Sequence, residues 1–294
     1  MTDTIAEPIT PNPPPGPADA PANADEPLSY GSYLEVADLL RLQRPRTDAH
    51  DEKLFIITHQ AIELWFSCAL DELELIRTAI DREMFGQARW SLRRLTRVTG
   101  LWLGHLDVLT TMTPAGFNEF RGALGESSGF QSVQFRELEM ASGLRDRRYL
   151  NLPGATDEER ERLRRRFQEP NVADAFTRAL ERRGLTPEKL FAPGQPDEEL
   201  RDTAEDLLEY DALFHQWRYQ HWMLVVRALG TRPGSGGSAG AAFLRSTLDK
   251  WFYPDLHEAR SQVHAAPAEE TSEVEGDGNV VYGCPMGYGS DLST

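Results

Sequence analysis

Cysteine is almost missing: Cys68 and Cys284 are the two in 294 residues. A disulfide framework is excluded, as is structural zinc held by thiolates, and a reducing, cytoplasmic setting is expected. Lysine is nearly as scarce, with Lys53, Lys189 and Lys250 alone, so the basic charge is carried by arginine. Basic charge is itself the minority, 31 Lys and Arg against 47 Asp and Glu, for a net −16. A chain this acidic lacks the basic face that phosphate backbones require, which excludes nucleic acid as a general partner. No run of about 18 consecutive apolar residues occurs, so no membrane span is expected.

What is present is a helical pattern between two polar ends. Residues 1–28 hold Pro, Ala, Asp and Glu with few large apolar groups, unlike the basic and then apolar start of a secretory signal. Such a segment cannot bury enough surface to offset its ordering entropy and is expected to be disordered. Residues 265–294, acidic and Gly-rich, are read as a second flexible tail. Residues 29–264 carry no internal repeat and no evident linker and are expected to form one domain.

Strand signals are nearly absent from that domain. Residues 48–81 contain no Gly or Pro, and Leu54, Ile57, Leu64, Cys68 and Leu75 recur at steps compatible with one helical face. A second helix is predicted over 86–112, stopping at Thr113-Pro114, and Pro114 suits the first turn of a third, PAGFNEFRGAL. The period restarts in FQSVQFRELEMAS after the GESSG loop. Further helices are expected over 156–167, 171–183, 197–229 and 240–252, with Pro254 beyond the last. The fold class is all-α, a helical bundle with short connections.

Polar groups inside apolar helices are the candidates for chemistry. His59 sits in LFIITHQAIELWF among large apolar neighbours, and burial there needs a partner. Glu63, one turn later, is placed to orient the ring. A satisfied core histidine answers to the same sequence, and His59 with Glu63 alone makes no zinc site, which needs a third ligand. His221 lies in HQWRYQHWMLVVRALG on a long helix. His215, six positions earlier, falls about 240° around it, so the two cannot serve one site. A metal at His221 would be held by a single imidazole, as in haem proteins with a proximal histidine, and a core histidine is again the alternative. His50, His105, His257 and His264 have no spacing that promotes them.

Arg121 differs from the arginines of solvated runs such as ERERLRRR. It follows Phe117 and Phe120 and precedes the small-residue turn 125–129. A guanidinium among rings suits capture of a carboxylate, and a structural ion pair suits the same pattern. Residues 234–240, GSGGSAG, lack the strand and lysine of a phosphate loop. They are either a flexible linker or, directly before a helix, a place where backbone N–H groups and the Ser235 hydroxyl hold an anion.

Taken in order, YGSYL (30–34), LFIITHQAIELWF (54–66), FRGALGESSGFQSVQFRELE (120–139), QWRYQH (216–221), GSGGSAG (234–240) and LDKWFYPDL (248–256) resemble the tryptophan 2,3-dioxygenase family of haem enzymes. Single motifs are weak, but the set is ordered around two histidines and covers most of 29–262. The resemblance implies an all-α bundle with one haem b per subunit bound between helices, and His221 as its axial iron ligand. It implies His59 as the distal histidine near the indole N–H, and Phe55, Ile56, Ile57 and Thr58 as a substrate-contacting run. Arg121 would clamp the substrate carboxylate, with Phe117, Leu124, Ser128 and Gly129 around it. Ser235 would touch the amino-acid end and a haem propionate. Tyr30 and Tyr33 would lean into a neighbouring subunit of a homotetramer.

The activity implied is insertion of both atoms of O2 across the indole C2=C3 bond of L-tryptophan. The product is N-formylkynurenine, the first step of the kynurenine pathway. Phe117 and Phe135 stand where the family has Tyr, and Ser235 where it has Thr. Each loss of a hydrogen-bonding group loosens substrate binding by about a kcal/mol, and a modified tryptophan or close indole analogue is a second candidate substrate. Two other readings stay open on the sequence: a related haem monooxygenase that leaves one oxygen on the indole as an oxindole, and a non-enzymatic helical binding protein.

Overall fold

A computed structural model describes residues 28–230 and 240–262, all in helices, turns and loops, with no strand among them. Two short N-terminal helices, α1 (Tyr30–Tyr33) and α2 (Val36–Leu39), precede the first long one, α3 (His50–Asp81). Buried Glu52 fixes the entry to α3, its carboxylate accepting the backbone N–H groups of Arg46 and Thr47 at 2.8 Å each. Both oxygens are thereby engaged by donors that the chain would otherwise leave unpaired.

The helix α4 (Phe85–Thr110) returns along α3 after a tight turn. That turn needs a left-handed residue at Glu83 (φ 57°), whose carboxylate accepts from Arg182 Nε at 2.9 Å and Arg183 Nη2 at 3.2 Å. Leu92, Leu95, Val98, Trp102, Leu106 and Leu109 recur every three or four residues along α4 and are buried, so its inward stripe follows the helical period. Thr113 caps α5 (Pro114–Arg121), accepting the Gly116 N–H, with Pro114 in the first turn as its missing donor allows.

Ser132 caps α6 (Val133–Ser142), which packs on α3, as does α8 (Val172–Arg182); α7 (Asp157–Gln168) covers α6 from outside. The second long helix, α10 (Glu198–Leu229), packs against α4. Of three short helices, α9 (Pro187–Phe191) packs with α12 (Pro254–Gln262), and α11 (Ala241–Arg245) packs against α10. Buried Asp211 of α10 accepts the N–H groups of Phe252 and Tyr253 at 2.9 and 3.1 Å, tying the lead-in of α12 to that helix. The main core is shared by α3, α4, α8 and α10 around Trp102, Phe66 and Phe214. None of the helices among the described residues is long and apolar enough to cross a membrane.

The all-α architecture and the long helices follow the sequence pattern; two short elements differ from it. The helix expected over 240–252 ends at Arg245. Ser246 and Thr247 turn their hydroxyls back onto the carbonyls of Phe243 and Leu244 at 2.7 Å each, which competes with continuation. Pro254 opens α12 instead of only ending what precedes it. The tails over 1–27 and 263–294 lie outside the described residues, as do 231–239, which include Ser235.

Candidate active site

A cavity of about 460 Å³ opens between α3, α4, α5, α6, α10 and α11. Its wall is mostly hydrocarbon and aromatic, and Phe55, His59, Phe117, Ser128, Gly129 and His221 all face it. The size is that of a ligand pocket, and the few polar groups on an apolar wall are of the kind that fixes orientation.

His59 reaches the wall because it recurs with Phe55, Ile62 and Phe66 on one face of α3. Its Nδ1 is 2.7 Å from the carbonyl oxygen of Phe55. A carbonyl can only accept, so Nδ1 carries the proton and Nε2 is left as an acceptor. Burial lowers the pKa of this ring, with the Phe55 carbonyl and the Glu63 charge opposing more weakly, so the neutral form is favoured. Phe55 packs on His59 with ring centroids 4.0 Å apart and meets Phe117 at 6.0 Å and Phe120 at 5.4 Å. The result is an aromatic wall beside an imidazole acceptor. Glu63 does not orient that ring by hydrogen bonding, contrary to expectation: Gln134 Nε2 donates to its carboxylate at 2.8 Å and its backbone carbonyl at 3.0 Å.

His221 faces the same cavity from α10. Its pKa is pushed down to about 4, chiefly by burial, then by the neighbouring His59 ring, since charging both is disfavoured, and by the Arg136 charge. A buried neutral imidazole keeps a lone pair for a metal. His215 does not line it and stacks on Trp251, ring centroids 4.2 Å apart and the planes nearly parallel, so the two histidines serve different places as their spacing requires. Among the described residues no group of three or more His, Cys, Asp or Glu is placed to hold a metal ion. The donor set therefore fits a metal that brings most of its own ligands and takes one imidazole from the protein.

The other expected residues spread around this centre. Arg121 ends α5, one turn after Phe117, and is partly buried without lining the cavity; Leu124 follows in a single 3₁₀ turn. Ile56, Ile57 and Thr58 lie off the cavity wall, Thr58 in the core at 3% exposure and Ile57 exposed at 44%. Tyr30 and Tyr33 on α1 are exposed at 81% and 72%. Among the cavity residues that escaped the sequence reading are two buried cations, Arg136 and Arg218. Their signal was faint: Arg136 and Glu139 stand one turn apart in FRELE, and Arg218 one turn before His221.

The fold and site define a class: an all-α bundle enclosing an apolar chamber with two neutral imidazoles on its wall. The sequence profile described as tryptophan 2,3-dioxygenase matches residues 18–192 and 189–263. Among similar proteins, the tryptophan 2,3-dioxygenase of Nocardioides sp. is 41% identical over 256 residues, 80% of this chain and 95% of its own. Those of Herpetosiphon aurantiacus and Anaeromyxobacter sp. are each 37% identical, over 80% and 79% of this chain and 98% and 95% of theirs. The chain belongs to the tryptophan 2,3-dioxygenase family and is an enzyme of the oxygenase class.

Proposed function

We propose that this enzyme takes L-tryptophan and O2 and inserts both oxygen atoms across the indole C2=C3 bond, giving N-formylkynurenine with no other product. The single observation that carries the reading is the pair of neutral imidazoles, His59 and His221, facing one apolar cavity in a chain of this family. His221 would hold haem b, one per subunit, by its one available imidazole nitrogen. Haem, when bound, supplies the oxygen chemistry, and the protein supplies orientation and a dry site.

Each remaining role belongs to the chain. His59 Nε2 accepts the indole N–H, which sets the ring's direction without removing its proton. Phe55 and Phe117 pack the indole and exclude water, strengthening every polar contact inside. Arg121 anchors the substrate carboxylate from the end of α5, a bidentate role that suits a guanidinium. Holding the reacting ring in one pose is worth several kcal/mol of barrier, since a bimolecular encounter becomes an intramolecular one. Ser128 and Gly129 on the wall, with Leu124 and Ser235, complete the proposed substrate surround, and Ile56, Ile57 and Thr58, off the wall, support it through Phe55 and His59 on the same helix. The exposed Tyr30 and Tyr33 support a homotetramer in which a second subunit covers them.

The test is product mass under labelled O2. Incubating the haem-loaded enzyme with L-tryptophan should yield a product with two labelled oxygens. A product with a single labelled oxygen, an oxindole, would replace the dioxygenase reading with the monooxygenase one. No reaction and no haem uptake would leave a helical binding protein.

A further inference from the structure

Two guanidinium groups and one carboxylate are buried together at the cavity. Arg136 and Glu139 lie one turn apart on α6, and Arg218 lies on α10, one turn before His221; they are 3%, 1% and 4% exposed. Arg136 Nη1 donates to Glu139 Oε2 at 2.7 Å. Arg218 Nη1 stands 3.0 Å from the other oxygen, an ion pair in which the N–H points off the line between the atoms. One carboxylate thus serves two cations. Among the described residues, neither guanidinium has a second carboxylate within ion-pair distance.

The remaining contacts of both arginines are aromatic faces. Arg136 lies 4.0 Å from the Tyr149 ring centroid, and Arg218 lies 5.0 Å from that of Phe214. Arg136 Nε and Arg218 Nη2 are buried without a hydrogen-bond partner. Asp211, two turns before Arg218, is engaged by the N–H groups of Phe252 and Tyr253 and by His257 at 3.3 Å. Glu63 is the carboxylate on the cavity wall itself; the neutral Gln134 donates to it, and Arg227 places a third guanidinium on the same wall.

A buried ionic triad is weak support for stability, because desolvating three charges offsets most of their attraction. Apolar side chains of similar volume would serve the fold as well. The triad's placement is the informative part, since Arg136 and Arg218 both line the cavity that His221 faces. Screening there is far weaker than in water, so a surplus charge is felt across the site.

We infer that the Arg136–Glu139–Arg218 triad is an electrostatic positioning device that holds a surplus positive charge beside His221 and favours the reduced state of the iron bound there. The inference rests on the haem reading above. Reduction adds one electron from an external donor and lowers the positive charge of the iron by one, so a fixed cation nearby favours the ferrous form. Glu139 sets the size of that surplus by cancelling one of the two guanidiniums.

Spectroelectrochemical titration of the haem-loaded full chain tests this, with an added one-electron mediator. Glu139→Gln removes the cancelling charge and should raise the ferrous-to-ferric ratio at a fixed potential by about tenfold; Arg218→Met removes a cation and should lower it by about as much. Arg136→Met, which leaves α10 untouched, should fall on the same side as Arg218→Met. The charge-preserving Glu139→Asp and Arg218→Lys should stay near the parent. Opposite displacements identify charge as the cause, because loosened packing would move all the variants one way. Displacements of one sign, or none, overturn the inference while the parent's Soret band leaves the haem reading intact. A parent chain that takes up no haem overturns both.

Discussion

His59 donates its Nδ1–H to the carbonyl oxygen of Phe55, one turn earlier on the same helix, across 2.7 Å. That bond fixes the tautomer and leaves Nε2 facing the cavity as an acceptor. A substrate N–H should therefore be recognised, and an N-methylated indole should leave the acceptor buried and unpaired. In His59→Ala the preference for L-tryptophan over 1-methyl-L-tryptophan, measured as the ratio of kcat/KM values, should shrink by roughly tenfold. An unchanged ratio would remove His59 from substrate recognition.

Arg121→Ala should raise KM for L-tryptophan far more than for indoles without a carboxylate, by ~2–4 kcal/mol in kcat/KM if a buried charge pair is lost. Steady-state kinetics with the two substrate classes decides it. Equal losses on both would mean that Arg121 holds the fold and not the substrate.

Trp102 is fully buried, edge-on to Phe66 at 4.9 Å and to Trp217 at 6.4 Å, with its Nε1–H unpartnered. Trp102→Ala should cost ~3–5 kcal/mol by cavity formation, lowering Tm by on the order of 10 °C. Trp102→Phe should cost much less, because it keeps the aromatic contact and removes the orphaned donor. Calorimetry of the two variants checks the order.

The Glu52 carboxyl is held below its ordinary pKa of 4.5, first by the Thr47 hydroxyl and then by the backbone N–H groups of Arg46 and Thr47, with burial opposing. A lowered folded-state pKa stabilises the fold above the unfolded value, and that contribution fades as pH falls below about 4.5. Glu52→Gln should flatten this acid limb of a stability-versus-pH curve, measured by denaturant melts. The same slope in both proteins would mean that other carboxylates set it.

The long helices were legible because α3 has no Gly or Pro and α10 carries a continuous inward stripe. Thr113-Pro114 also marked a helix boundary correctly, since threonine caps and proline lacks a donor where none is needed. The short elements were not: Pro254 reads equally as a stop and as a first-turn residue, and only the grip of Asp211 on Phe252 and Tyr253 places it. At the site, His59 and His221 stood out as polar residues in apolar runs. Arg136 and Arg218 did not, because arginine is the common cation of this chain. Their burial depends on Glu139 bridging two helices distant in sequence. The turn of the Glu63 carboxylate toward Gln134 was hidden for the same reason: its partner lies 71 residues away.

The most direct measurement is haem titration of the apoprotein and of His221→Ala, followed by optical spectra of the ferric and ferrous forms. The account requires saturation at one haem per chain with an imidazole-ligated Soret band in the parent, and loss of that band in the variant. An identical spectrum and stoichiometry in His221→Ala would contradict it.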